Sequence, residues 1–187
     1  MPEGQGTFIA IVGPSGVGKD SLIALARERF AGNSAILFVR RTVTRDAVAM
    51  AEDHDTLSME DFLAAEAAGK FAATWRAHGL SYGIPVQAAD HVDGGGIALA
   101  NCSRSALAEI RNRFGRTLVV GITARPEVLA MRLEQRGRES REEIEARISR
   151  AVAQEWRDGD TIEIDNSDDI GIAGARLIAC IEACLAG

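Results

Sequence analysis

The stretch best equipped for chemistry is Gly13-Pro14-Ser15-Gly16-Val17-Gly18-Lys19-Asp20-Ser21. Glycines let successive backbone N–H groups turn inward on an anion. A helix that begins where such a loop ends adds the positive end of its dipole. A lysine at that point reaches the β- and γ-phosphates of a nucleotide. The spacing Gly13-x4-Gly18-Lys19 is that of a P-loop, so Gly13 to Ser21 are read as nucleotide-binding residues, with Lys19 as a catalytic cation. One position departs from the pattern. A Ser or Thr hydroxyl is expected directly after the lysine to hold Mg²⁺, but Asp20 stands there and Ser21 follows. A carboxylate is also a hard-oxygen ligand, so Mg²⁺ is expected on Asp20 or Ser21, directly or through water.

A second group lies in the charged run Arg132-Leu133-Glu134-Gln135-Arg136-Gly137-Arg138-Glu139-Ser140-Arg141-Glu142-Glu143. Gly137 should end one helix, and Ser140 with Glu143 forms a capping box that starts the next. Ile144, Ile148, Ala151 and Val152 fall on one face of that second helix, and Arg147 falls outside it. Arginines on both sides of a helix–turn–helix can fold over a triphosphate as a lid, because the planar fork pairs with phosphate oxygens. The plainer alternative is a solvated face, with Glu143 and Arg147 spaced as an i,i+4 pair.

Positioning such groups requires elements on either side of the loop. Apolar runs mark strands at Thr7–Val12, Ala35–Val39, Ile97–Ala100, Leu118–Ile122 and Thr161–Ile164. Helical periodicity appears at Ser21–Phe30, Met59–Ala68, Ser105–Phe114, Pro126–Gln135, Glu142–Trp156 and Ile170–Ala186. This alternation indicates an α/β fold, a parallel sheet core wrapped by helices. Ligands of such sheets bind beyond the carboxyl ends of the strands, where the P-loop falls. The segment from Arg40 to His91 interrupts the alternation and reads as polar and irregular. Gly94-Gly95-Gly96 reads as a loop returning to a buried strand.

The 187 residues suit one domain, and a 47% hydrophobic content supplies its core. A net charge of −6 argues against a nucleic-acid partner, which selects for a basic face. No apolar run approaches the ~20 residues of a membrane span, and Met1 to Gly6 has no signal-peptide pattern, so a cytoplasmic protein without membrane attachment is expected. Cys102, Cys180 and Cys184 read as reduced thiols, the latter two in the core of the last helix.

Together these pieces resemble the guanylate kinase-like branch of the P-loop nucleotide kinases. The resemblance runs from about Thr7 to Asn166. It rests on the loop from Gly13 to Lys19, on Thr44-Arg45, on Gly79-Leu80-Ser81-Tyr82-Gly83, and on Arg132…Arg136-Gly137…Arg147. It implies a core of about 1–39 and 92–187, an acceptor-binding insertion of about 40–91 and a helical lid of about 132–150. The lid arginines Arg136 and Arg147 would close on the transferring group with Arg132 in support, and Asn166 would sit in the adenine pocket. The guanine-reading glutamate of guanylate kinases falls at Ala73. Ile84-Pro85 replaces the hydroxyl residues expected after Tyr-Gly, and Asn101 replaces an acidic residue. A guanine ring would lose its hydrogen-bond partners here.

Gly18-Lys19-Asp20-Ser21, Thr44-Arg45-Asp46, Glu52-Asp53-His54, Trp75 with Gly79, Tyr82-Gly83 and Asn101-x-Ser103-Arg104 resemble the ribose 1,5-bisphosphate phosphokinases of bacterial phosphonate utilisation. That resemblance implies ATP with Mg²⁺ as donor and ribose 1,5-bisphosphate as acceptor. Arg41 and Arg45 would grip the acceptor phosphates, with Tyr82 and Arg104 as further contacts. Trp75 is expected in the core, and His54 in a polar surface loop. The alternatives carried forward are a divergent nucleoside monophosphate kinase, a kinase for another sugar, and a non-catalytic module of the same fold.

Overall fold

The structure, a computed structural model, describes residues 6–44, 54–77, 79–136, 142, 144–146, 148–149 and 161–187. Along the chain come β1 (Thr7–Val12), α1 (Lys19–Arg29), β2 (Ile36–Phe38), β3 (Arg41–Val43), β4 (His54–Thr56), α2 (Met59–Ala67), β5 (Phe71–Ala77), β6 (Leu80–Pro85) and α3 (Val86–Asp93). Then follow β7 (Ile97–Asn101), a 3₁₀ turn (Arg104–Ala106), α4 (Leu107–Phe114), β8 (Thr117–Thr123), α5 (Pro126–Arg136), β9 (Thr161–Asp165) and α6 (Ile170–Ala186). The chain divides into two compact units, Met1–Ala10 with Phe30–Leu118, and Ile11–Arg29 with Val119–Gly187. Strand β1 contributes to both. All six of its residues are buried, as befits a continuous apolar run covered on both faces.

In the first unit, β2 and β7 pair in parallel with Ile36 opposite Ile97, in the order β2-β7-β1. Phe114 of α4 stacks on Phe8 of β1, ring centroids 4.1 Å apart, and with Ile110 closes this core. The segment expected to be irregular holds a second sheet, in the order β4-β3-β6-β5. Strands β3 and β4 pair in parallel, while β6 pairs antiparallel with both β3 and β5. The pattern is hard to read because β3 and β4 have only three residues each, too short for a period to show. The β5–β6 hairpin turns at Gly79, which supplies a φ of +74°. His54, expected in a loop, opens β4 and is half-buried. Helix α2 is capped by Ser58, whose Oγ accepts from the Asp61 N–H at 3.0 Å. Its Phe62 is fully buried and stacks on Phe71.

In the second unit, β8 and β9 pair in parallel from Val119 opposite Thr161 to Thr123 opposite Asp165, in the order β1-β8-β9. Helix α1 buries Leu22, Ile23 and Ala26, and α6 buries Ala173, Gly174, Leu177 and Ile181. A side chain at Gly174 would meet Leu25, so the two helices meet at a residue without a Cβ. The Asp169 carboxylate caps α6 by accepting from the Gly171 N–H at 2.6 Å. Cys180 and Cys184 are half-exposed, not core residues: Cys180 falls at the edge of the buried stripe of α6, and Cys184 falls in its last turn. Residues 142, 144–146 and 148–149 are helical with Ile144 buried; Ser140, Glu143, Ala151 and Val152 lie outside the described residues. No helix among the described residues is long and apolar enough to cross a membrane.

Candidate active site

The loop after β1 carries the chemistry of the second unit. Gly16 and Gly18 adopt φ of +85° and +95°, a region L-residues rarely enter. Helix α1 starts at Lys19, two residues earlier than periodicity suggests, which puts Lys19, Asp20 and Ser21 in its first turn. The Lys19 ammonium donates to the carbonyls of Gly13 at 2.8 Å and Pro14 at 3.0 Å, so it lies along the loop it would serve. Asp20 and Ser21 are both exposed, and they put two hard-oxygen donors at the helix start, the donor set that suits Mg²⁺.

Two distant side chains converge on one carbonyl of this loop. Asn166 Nδ2 donates to Val17 O at 2.8 Å, and Arg132 Nη1 donates to the same oxygen at 3.4 Å. The Asn166 backbone N–H is held by Thr123 O at 2.8 Å, and its side chain is only 1% exposed. Because a carbonyl accepts, the nitrogen of the amide must face Val17, which fixes the amide orientation. Its Oδ1 is buried and has no hydrogen-bond partner among the described residues. The neighbouring turn is braced by Ser167, whose Oγ accepts from the Arg125 N–H at 2.8 Å. The Asp168 carboxylate, through its hydrogen bond and then its charge, raises the Arg125 pKa, and Arg125 lowers that of Asp168. The pair is exposed and contributes little to stability.

In the first unit, the arginines of the β2–β3 connection part ways. Arg40 is exposed and pairs with Asp55 at 3.0 Å. Arg41 is half-buried, with its guanidinium carbon 5.3 Å from the centre of the Tyr82 ring and Nη1 donating to Asn101 O at 3.4 Å. Tyr82 stacks in turn on Trp75, centroids 5.3 Å apart and planes 6° apart. Thr44 is tied to β6 twice: its N–H donates to Ser81 O at 2.9 Å, and its Oγ1 accepts from the Ser81 N–H at 2.8 Å. Ala73 and Ile84 are buried and face each other across β5 and β6, so no hydrogen-bonding side chain stands at either position. Arg104 is half-buried at the 3₁₀ turn, and burial lowers its pKa. Cys102 is buried, and desolvation pushes its thiol up to about 12 against the opposing pull of Arg41.

No protein-family model matches this chain. A protein of Brucella melitensis biotype 2 named ribose 1,5-bisphosphate phosphokinase PhnN is 48% identical over 167 residues, 89% of this chain and 87% of that one. A protein of the same name from Agrobacterium fabrum is 46% identical over 175 residues, 94% and 96% of the two chains. The chain belongs to the ribose 1,5-bisphosphate phosphokinase family. A crystal structure of guanylate kinase from Anaplasma phagocytophilum superposes with a TM-score of 0.65 at 19% identity, covering 97% of this chain and 87% of the other. This likeness shows the fold alone: the guanylate kinase-like P-loop architecture, with a parallel sheet core and helices.

For a ribose 1,5-bisphosphate phosphokinase, the residues expected from sequence fall into three groups. Gly13 to Ser21, Arg132 and Asn166 come together in the second unit, with Val17 O as their meeting point. Arg41 and Tyr82 come together in the first unit. Arg104 has its own half-buried position there. Arg45, Arg147, Glu52, Asp53 and His78 lie outside the described residues, as does the side chain of Arg136, whose backbone ends α5. Sequence reasoning assigned no site role to Trp75, which is buried as expected but also forms the base of the Tyr82–Arg41 stack. The alternation of Ala73 and Trp75 in β5 opposite Tyr82 and Ile84 in β6 was the available signal.

Proposed function

We propose that the protein transfers the γ-phosphoryl group of ATP to the 1-phosphate of α-D-ribose 1,5-bisphosphate, yielding ADP and 5-phospho-α-D-ribose 1-diphosphate. An oxygen of the acceptor 1-phosphate attacks the γ-phosphorus. The bond from that phosphorus to the β,γ-bridging oxygen breaks, and its electron pair leaves with ADP. The acceptor oxygen is ionised at neutral pH, so positioning and charge neutralisation carry the catalysis and no strong general base is needed.

Relatives of that name at 48% and 46% identity support the reading. The observation in the molecule that carries it is the buried Ala73–Ile84 pair on the same hairpin as Tyr82, which itself lies under Arg41. The hairpin and Arg41 of the neighbouring β3 offer a cation for phosphate and no side-chain partner for a base at those two positions, as suits an acceptor without a base.

We assign the loop amides from Ser15 to Lys19 to the β-phosphate, and Lys19 to the β- and γ-phosphates once it leaves the Gly13 and Pro14 carbonyls. Asn166 and Arg132 hold the Val17 carbonyl and thereby the loop. Asp20 or Ser21 holds Mg²⁺, which when bound offsets the charge of the phosphate oxygens. Arg136 and Arg147 neutralise the transferring group, and Arg41, Arg45, Tyr82 and Arg104 bind the acceptor. We read the chain as one functional domain with a core of about 1–39 and 92–187, an acceptor-binding insertion of about 40–91 and a lid of about 132–150. Three free thiols and the use of ATP support a cytoplasmic location in phosphonate metabolism.

The test is ATP- and Mg²⁺-dependent turnover with ribose 1,5-bisphosphate and GMP in parallel, for wild type and Lys19→Ala. Formation of the 1-diphosphate with little GDP, lost by a factor of about 10³ in the variant, is the expected result. Preferred formation of GDP would refute the acceptor assignment.

A further inference from the structure

Trp75, Tyr82 and Arg41 lie on β5, β6 and β3, three adjacent strands of the smaller sheet. Trp75 is directly opposite Tyr82, and Val43 is opposite Tyr82 on its other side. Residues two apart on a strand share a face, so Arg41 issues from the same face as Val43. The result is a three-layer stack of indole, phenol ring and guanidinium, with both spacings at 5.3 Å. The two rings are almost entirely removed from water, Trp75 at 6% and Tyr82 at 9% exposure. A cation over a ring is held more strongly where the ring is desolvated. The stack fixes the plane of the ring, and the Asn101 carbonyl takes one edge of the guanidinium at 3.4 Å. These two contacts hold the planar fork in one orientation, which is what bidentate phosphate recognition needs.

We propose that Trp75 is a positioning residue for the acceptor phosphate. It holds the Tyr82 ring, and through that ring the Arg41 guanidinium, in the orientation that receives the substrate. The inference rests on the reading above that Arg41 and Tyr82 bind the acceptor. A purely structural tryptophan would lower stability when replaced, but it would not separate the two substrates.

The experiment is steady-state kinetics of Trp75→Leu and Trp75→Phe with each substrate varied in turn. Trp75→Leu should raise KM for ribose 1,5-bisphosphate about tenfold and leave KM for ATP within about twofold, and Trp75→Phe should restore most of the loss, since a phenyl ring still stacks. The chain has two tryptophans, so Trp156→Phe leaves Trp75 as the sole emitter. In that background, ribose 1,5-bisphosphate without ATP should change the Trp75 emission, and ATP alone should not. Equal changes in both KM values, or none, together with an unresponsive Trp75, would overturn the proposal. If Trp75→Leu fails to fold, the Trp75→Phe kinetics and the emission of the native Trp75 decide. Wild-type enzyme that makes no 1-diphosphate would remove the functional reading and this inference together. Wild-type turnover with an indifferent Trp75 would remove the inference alone.

Discussion

Replacing Gly18 by alanine isolates the contact that shapes the nucleotide loop. Gly18 has φ +95°, where an alanine is destabilised by about 1–2 kcal/mol. A Cβ there would stand 2.5 Å from Asn166 Nδ2, against the 3.4 Å at which ordinary contact begins. The amide must therefore retreat by about 0.9 Å, and a bond of 2.8 Å to Val17 O does not survive that at useful strength. Losing it removes about 1 kcal/mol and leaves the buried amide unmatched, about 1–3 kcal/mol more, while Arg132 still donates to Val17 O. Gly18→Ala should lose about 3–6 kcal/mol in urea unfolding, a large share of the stability of an ordinary domain. The decisive measurement is the double-mutant cycle with Asn166→Ala. Without the amide, only the backbone term remains, so the coupling should be about 2–4 kcal/mol. Additivity within about 0.5 kcal/mol would refute the claim that Asn166 is what Gly18 makes room for.

Two further outcomes follow from the same geometry. Asp20→Asn and Ser21→Ala, assayed across a Mg²⁺ titration, should shift the half-saturating Mg²⁺ concentration upward by about tenfold in the variant that loses the ligand, and chelation should abolish turnover in both. If neither shifts, the metal assignment at the start of α1 is wrong. Cys102, with its thiol near 12, is about one part in 10⁴ thiolate at pH 8. Ellman's reagent at that pH should therefore titrate Cys180 and Cys184 in the folded protein, Cys180 the slower because burial raises its pKa too, and Cys102 only after unfolding. The sign of the linkage is fixed. The folded state keeps the Cys102 proton above the ordinary thiol value of 9.0, so stability falls as pH rises from there toward 12, and Cys102→Ala should flatten that decline in urea midpoints.

The central elements were legible because each carries its own signal. Strand β1 has the predicted ends Thr7 and Val12, since its apolar run is bounded by Gly6 and Gly13. The nucleotide loop announces itself by glycine spacing. Strand β9 and helix α6 were visible for similar reasons. The smaller sheet was not, because β3 and β4 are three-residue strands whose pairing depends on partners far along the chain. Its Gly83 has no turn to explain it; the Phe71 ring lies where a Cβ would be, at 2.5 Å, beside a bulge in β5. The partners of Val17 were beyond reach for another reason. Asn166 is 149 residues away and Arg132 is 115, and a residue type does not reveal which carbonyl it will meet. Arg132, expected in support of the lid arginines Arg136 and Arg147, donates to the loop carbonyl of Val17.

The two halves of the chemistry place opposite demands on their side chains. A nucleotide base presents edges that a few neutral hydrogen bonds can read. A sugar carrying two phosphates presents mainly charge, and charge is strongly hydrated. An arginine that binds such an acceptor must offer more than attraction, because water competes for both partners and a long side chain loses freedom on binding. Fixing the guanidinium beforehand removes that loss from the binding step. The Trp75–Tyr82 stack contributes to this with buried aromatic area, which adds no negative charge to oppose the incoming phosphate. Arg40, one residue earlier, is exposed and pairs with Asp55. The smaller sheet therefore devotes its aromatic cross-strand pair Trp75–Tyr82 to a cation, and fills the Ala73 and Ile84 positions with apolar side chains. An acceptor of high charge and no base is the ligand class for which both choices are favourable.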